Sequence, residues 1–263
     1  TALKLNLIVL PLSVSCGGET ILDDGSMTIT DFFKMPEGGL TCKTNPILKD
    51  TFLSLFSEIL QEKGAKIFGI FISSKLSRTY DEAVAAAEAL KSGRIFLSDS
   101  KAVSGALGLL NFIAADMRAR GYDARKIKDE IDALIPRTEM LIMLSTLKYI
   151  KAGGLARVSA LRVMMGSFTI VRMEEGEIRE VGRCRLKKAS YTCMLKYLEK
   201  KLPEKNYAPC FINSGVPKLS DELMRLYSQC FGMERCIITT AGIACAAHFG
   251  PGAVGMAYIR KSN

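Results

Sequence analysis

Residues 67–100, IFGIFISSKLSRTYDEAVAAAEALKSGRIFLSDS, decide the fold class. Ile67 to Ile72 is an unbroken apolar run of strand length, the pattern of a strand covered on both faces. Serines and a lysine end it. An alanine-rich segment from about Thr79 to Lys91 has helical composition, and Arg94 to Leu97 returns to strand-type residues. Strand, helix and strand at this spacing form a βαβ unit, whose two strands run parallel.

Working outward, Ser104 to Arg120 and Lys126 to Leu134 read as helices and Met140 to Leu144 as a strand. The alternation predicts a largely parallel sheet flanked by helices. Upstream, Phe52, Leu53, Leu55, Phe56, Ile59 and Leu60 give Leu48 to Lys63 helical spacing. Met35 to Pro46 is loop-like. Ile8 to Ser15 reads as a strand that Pro11 confines to an edge or a bulge, with Glu19 to Asp23 returning through Gly17-Gly18. Downstream the pattern changes. Thr169 to Met173 and Ile178 to Cys184 flank Glu174-Glu175-Gly176 as a hairpin. A helix from Lys187 to Lys201, a strand at Cys210 to Asn213, a helix near Leu219 to Cys230 and a strand near Cys236 to Thr239 follow. The expected architecture is α/β in two domains. Residues 1–145 form an N-terminal α/β domain, and residues 146–263 a C-terminal α/β domain of α+β character with antiparallel pairing.

Hydrophobic residues make up 48% of the 263 and charged residues 24%, which excludes a disordered chain. The net charge of +9 is uneven. Residues 1–135 hold 16 Lys+Arg against 17 Asp+Glu, and residues 136–263 hold 20 against 10, so the whole excess lies in the second half. That asymmetry fits either an anionic partner or a solvated face. The eight cysteines form no CxxC pair, and no signal-peptide pattern opens the chain. The expectation is eight free thiols in a cytoplasmic protein. With one histidine and scattered cysteines, no metal site is expected.

Some patterns fail on inspection. Ile237 to Ile259 carries no Asp, Glu, Lys or Arg, but Thr239, Thr240, His248 and Gly250-Pro251-Gly252 break it as a membrane helix. Gly250 to Gly255 matches GxGxxG, yet the chain ends before the helix, strand and acidic residue that a dinucleotide site requires. Ser98 to Lys101 matches SxxK without its companion motifs. Neither a GxSxG elbow nor a Walker A loop occurs.

Three places carry candidate chemistry. The Ser73-Ser74-Lys75-Leu76-Ser77-Arg78-Thr79 turn lies between a buried strand and a helix N-terminus, where an anion would meet free N–H groups and hydroxyls. Thr79-x-x-Glu82 also fits a plain capping box. His248, ahead of Gly250-Pro251-Gly252, is suited to donating to an anion or acting as a base, or to a structural hydrogen bond. Arg183, Arg185, Lys187 and Lys188 form a basic cluster at a strand-to-helix junction. No nucleic-acid motif accompanies it, so a docking face for an acidic or phosphate-bearing partner is the expectation.

Five segments in order resemble the DegV family of bacterial fatty-acid-binding proteins: IVLPLSVSCGGETILDD (8–24), ISSKLSRTYDEA (72–83), LSDSKAVSGALGLL (97–110), LKYIKAGG (147–154) and HFGPGA (248–253). The resemblance implies the two-domain DegV-like (EDD) fold with a long-chain fatty acid between the domains. It assigns the carboxylate to Thr44, Ser74 and His248; the threonine segment is altered here, and Thr44-Asn45-Pro46-Ile47 fits it when aligned on Phe52, with Thr41-Cys42 as the alternative. It implies no catalytic residue and no cofactor other than the bound fatty acid. The expected partner is the kinase subunit of fatty acid kinase, which phosphorylates the presented acyl chain. Neither nucleic acid nor integral membrane association is implied, and the reading leaves room for transient membrane contact.

The sequence departs from the family at Arg78, where the pattern has glycine, at Leu155, where it has arginine, and at Ser167-Phe168-Thr169, which replaces Ile-Lys-Pro. These bear on the kinase partner more than on the lipid. The resemblance also implies a further strand with an Asp-Ser motif ahead of Thr1. Two alternatives use the same residues or the same lipid: a serine-type acyl hydrolase with Ser74 as nucleophile and His248 as base, and a lipid-binding regulator without a kinase.

Overall fold

The computed structural model describes residues 5–153, 166–201, 209–233 and 235–260. The N-terminal part opens with strands β1 (Ser13–Cys16) and β2 (Glu19–Leu22), a short helix α1 (Ile29–Phe32), and β3 (Lys43–Asn45). There follow α2 (Lys49–Gln61), β4 (Ile67–Phe71), α3 (Thr79–Leu90), β5 (Ile95–Asp99), α4 (Ser104–Ala119) and α5 (Ala124–Leu134). Next come β6 (Thr138–Leu144), α6 (Lys148–Ala152), β7 (Phe168–Glu174), β8 (Glu177–Cys184) and α7 (Lys187–Lys201). The described chain closes with β9 (Cys210–Asn213), α8 (Pro217–Phe231), β10 (Ile237–Thr240), α9 (Ile243–Phe249) and β11 (Val254–Ile259).

The architecture is mixed α/β with both kinds of pairing. Strands β4 and β5 pair in parallel, as the βαβ reading requires. Their unbroken hydrophobicity has a physical cause. Ile67 and Phe71 pack into one apolar cluster with α2 and α3, while Phe68 and Ile70 pack into another with α4 and α5. Strands β2, β1 and β3 form a small antiparallel sheet.

The third sheet has six strands in the order β10-β9-β11-β6-β7-β8, antiparallel except for β9 with β10. Strand β6 sits inside it, between β11 and β7, rather than beside the parallel pair. Met140, Ile142 and Leu144 of β6 enter one core and Leu141 and Met143 the other. A strand with both faces buried reads as one apolar run whichever sheet it joins, so hydrophobicity alone could not choose its partners. The β7–β8 hairpin forms at the expected residues.

Some local expectations change. Ile8 and Val9 are exposed at 67% and 62%, and the strand begins only at Ser13, beyond Pro11. The capping box at Thr79 does not form. Arg78 is the cap residue of α3, and Glu82 Oε2 instead accepts from the backbone N–H of Lys49 at 3.1 Å, at the start of α2. The expectation of eight free thiols is also corrected. Cys16 ends β1 and Cys42 precedes β3, its antiparallel neighbour, which brings their Cα atoms to 4.5 Å and joins them in a disulfide. The other six cysteines are free. Among the described residues no helix is long and apolar enough to cross a membrane. Gly154 and Leu155 lie outside the described residues.

Candidate functional site: a mostly apolar cavity

A cavity of about 200 Å³ opens where the small antiparallel sheet, the β4–α3 turn, the β7–β8 hairpin and α9 meet. Leu12, Ile72, Leu76, Val103, Ile178 and Phe249 give it mostly apolar walls. Thr44, Ser77, Arg78 and His248 bring the polar groups.

Thr44 and His248 come together. Thr44 is the central residue of β3, paired with Val14 of β1, and its Oγ1 is hydrogen-bonded to His248 Nε2 at 2.9 Å. His248 lies near the end of α9, which is fixed at both ends. At the start, Asp23 Oδ1 accepts from Ile243 N–H at 2.8 Å and Oδ2 from Ala244 N–H at 3.2 Å. At the end, Gly250 adopts φ +72°, and a β-carbon there would strike the Tyr149 ring, so only glycine fits. Ser214 Oγ donates to the Gly250 carbonyl at 2.8 Å, and Ser145 Oγ to the carbonyl of Pro251. The backbone of Gly153 comes so close to His248 that a β-carbon would overlap Nδ1.

Burial pushes the His248 pKa below its ordinary value, because desolvation penalises the imidazolium. The ring is therefore neutral at pH 7. Its Nδ1 is buried and has no partner among the described residues. When Nε2 carries the ring proton, Thr44 Oγ1 accepts it, and the hydroxyl's own proton is left for an acceptor in the cavity.

Ser74 is placed elsewhere. Its Oγ donates to Asp99 Oδ2 at 2.6 Å and its N–H to Asp99 Oδ1 at 3.1 Å, and it does not line the cavity. The Ser74–His248 pair of the hydrolase alternative is thus absent from this arrangement. Ser73 is fully buried and donates to the Gly176 carbonyl at 2.7 Å, tying the turn to the β7–β8 hairpin. The serine of this turn that lines the cavity is Ser77, whose Oγ lies 2.9 Å from Thr79 Oγ1. The turn motif holds three serines, and only the three-dimensional path of residues 73–77 separates them.

Cys245 also lines the cavity, and burial raises its thiol pKa to about 12. It is a protonated, apolar wall rather than a nucleophile. Among the described residues no group of three or more histidine, cysteine or acidic side chains is placed to hold a metal.

The basic cluster, at the β8–α7 junction, contributes no residue to the cavity lining. Arg183 is spent internally on Glu180, with Nε and Nη2 donating to its two oxygens at 2.7 Å each. Lys187 approaches Glu222 at 4.0 Å, while Arg185 and Lys188 are exposed.

A family model described as "Uncharacterised protein, DegV family" matches residues 1–261. This chain belongs to the DegV family. A DegV domain-containing protein of Clostridium acetobutylicum is 27% identical over 265 residues, covering 98% of this chain and 92% of that one. One from Staphylococcus aureus is 24% identical, covering 97% and 92%. Among solved structures, a fatty-acid-binding DegV protein from Thermus thermophilus superposes with a TM-score of 0.89 at 24% identity, covering 99% of this chain and 94% of that one. A stearic acid-binding protein from Eubacterium ventriosum gives 0.85 at 22% identity, covering 99% and 93%. A DegV protein from Eubacterium eligens, loaded with heptadecanoic acid, gives 0.83 at 21%, covering 95% and 92%. At these identities the likeness establishes the DegV fold.

Proposed function

We propose that this DegV chain binds one long-chain fatty acid, with the tail in the apolar cavity and the carboxylate at the Thr44–His248 pair. The observation that carries the reading is that pair, 2.9 Å apart, in the lining of a mostly apolar cavity. Each methylene transferred from water contributes about 0.8 kcal/mol, so the walls supply most of the affinity. The Thr44 hydroxyl donates to the carboxylate, and the neutral His248 orients it. Ser77 is the second hydroxyl of the site in this reading, in place of Ser74. The fatty acids named with the solved DegV structures are the ligand class this cavity suits.

The finer proposal is that the bound lipid is presented to a kinase partner, which docks through the exposed charges of Arg185 and Lys188. Replacing both by glutamate should slow association with such a partner and leave lipid affinity unchanged.

Denaturing mass spectrometry of the purified protein, followed by titration with saturated fatty acids of increasing length, tests the lipid reading. The expected results are a co-purified fatty acid and an affinity that rises about fourfold per methylene before levelling off when the cavity is filled. Absence of a lipid, together with no binding at any length, overturns it.

A further inference from the structure

We infer that Arg78 makes the cavity selective for an anionic headgroup, an inference that rests on the fatty-acid reading above. Among the residues lining the cavity, Arg78 is the one with a permanent formal charge. The neighbouring polar groups, Thr44, Asn45 and Ser77, are uncharged. The Asn45 amide is already committed, donating to Ser13 Oγ at 3.1 Å and Ser15 Oγ at 2.8 Å. Without Arg78 the lining would offer hydroxyls and a ring nitrogen, which an alcohol or an ester can also satisfy.

The surroundings of Arg78 suit this role. Arg78 contributes to the cavity lining, and its side chain is 76% exposed, so it remains charged without a burial penalty. It caps α3, next to Ser77 and Thr79, whose hydroxyls lie 2.9 Å apart. Its Nη2 donates to Glu82 Oε1 at 2.5 Å. Glu82 is more enclosed and is anchored by the Lys49 N–H. The guanidinium has five N–H donors in a planar fork, and this pairing engages one edge of it. A second carboxylate can share the cation or compete with Glu82 for it, because the Arg78 side of the pair is open to solvent and screened by it. Glu82 is then an internal competitor for the guanidinium.

The test compares dodecanoic acid with dodecanol, both used as monomers, on wild type, Arg78→Gln, Arg78→Lys and Glu82→Gln, at low and high salt. Wild type should prefer the acid, and salt should weaken acid binding but not alcohol binding. Arg78→Gln should bind the acid about tenfold more weakly and the alcohol unchanged, with Arg78→Lys in between. Glu82→Gln should tighten acid binding, since the competitor loses its charge.

An ion pair that merely supports the fold predicts instead that Arg78→Gln and Glu82→Gln weaken both ligands alike, and that outcome overturns the inference. So does a wild-type acid-to-alcohol ratio in Arg78→Gln, which leaves fatty-acid binding itself standing. If Arg78→Gln fails to fold, the wild-type salt series decides, and acid binding insensitive to salt overturns the inference. Wild type that binds neither compound, nor a fatty acid of any greater length, overturns the fatty-acid reading and this inference together.

Discussion

Thr44 Oγ1 and His248 Nε2 lie 2.9 Å apart although 204 positions separate them in the chain. Each is held by its own element: Thr44 by β3 in the small sheet, His248 by a helix clamped between Asp23 and Gly250. If the pair acts as one unit on a carboxylate, removing either member should cost much of what removing both costs. A hydrogen bond to a charged group contributes roughly 1.5–3 kcal/mol. Thr44→Val and His248→Ala are therefore each expected to weaken fatty-acid binding by about ten- to a hundredfold. The double variant should fall well short of the summed losses. Calorimetric titration of the four proteins checks this, and additive losses would show that the two side chains act separately.

The same histidine sets a pH dependence. Burial lowers the folded-state pKa of His248 below its unfolded value of about 6.5. Between those two values the unfolded chain binds more protons than the folded one, so stability rises with pH. The contribution of His248 is complete above about pH 6.5 and is lost as pH falls through the depressed folded value. Asp23 works in the opposite sense, because burial raises its carboxyl pKa despite two backbone N–H bonds. Comparing His248→Gln with wild type isolates the histidine. The variant should show a flatter decline in melting temperature below pH 6.5, and identical slopes would contradict a buried, neutral ring.

Much of the fold is legible in local pattern, and its limits are equally physical. The helix at Lys187–Lys201, the strand at Cys210–Asn213 and the hairpin around Glu175-Gly176 stand where periodicity and turn residues put them. The place of β6 does not follow from its sequence, since five consecutive buried apolar residues, Met140 to Leu144, carry no record of their neighbours. Glu82 illustrates the same limit. Its spacing from Thr79 is that of a capping box, but a backbone N–H of α2, distant in sequence, takes its carboxylate. In the site, the family resemblance points to Thr44 and His248, and they meet. It also points to Ser74, whose hydroxyl turns to Asp99, because the choice among Ser73, Ser74 and Ser77 depends on the path of one turn.

The cysteine count offers a direct check. Cys16 and Cys42 are bonded and six thiols are free. Alkylation of the denatured protein without reductant should label six cysteines, and eight after reduction. The bond closes a loop with a sequence separation of 26, for which chain entropy gives a stabilisation of about 3.5 kcal/mol. The Cys16→Ser, Cys42→Ser double variant should lose stability of that order in denaturant unfolding. Eight thiols labelled at the outset would restore the expectation of a fully reduced chain.

Asp23 links the N-terminal hairpin to the helix that carries His248, and this gives a prediction that separates positioning from contact. Its two carboxylate oxygens accept from successive N–H groups, Ile243 and Ala244, at the start of α9, and it does not line the cavity. Gly242 must be small, because a β-carbon there would collide with this carboxylate. Removing the cap in Asp23→Ala leaves two N–H groups without their acceptors and should destabilise the protein by about 1–2 kcal/mol. Asp23→Asn, which keeps one acceptor oxygen, should lose less. Because α9 sets the position of His248, Asp23→Ala should also weaken fatty-acid binding, although Asp23 is not among the lining residues. The loss should be large in wild-type background and small in His248→Ala, where there is no imidazole left to misplace. Denaturant unfolding and lipid titration of these variants measure both effects. An equal loss of affinity in the two backgrounds would show that Asp23 acts on the cavity by some route other than the placement of His248.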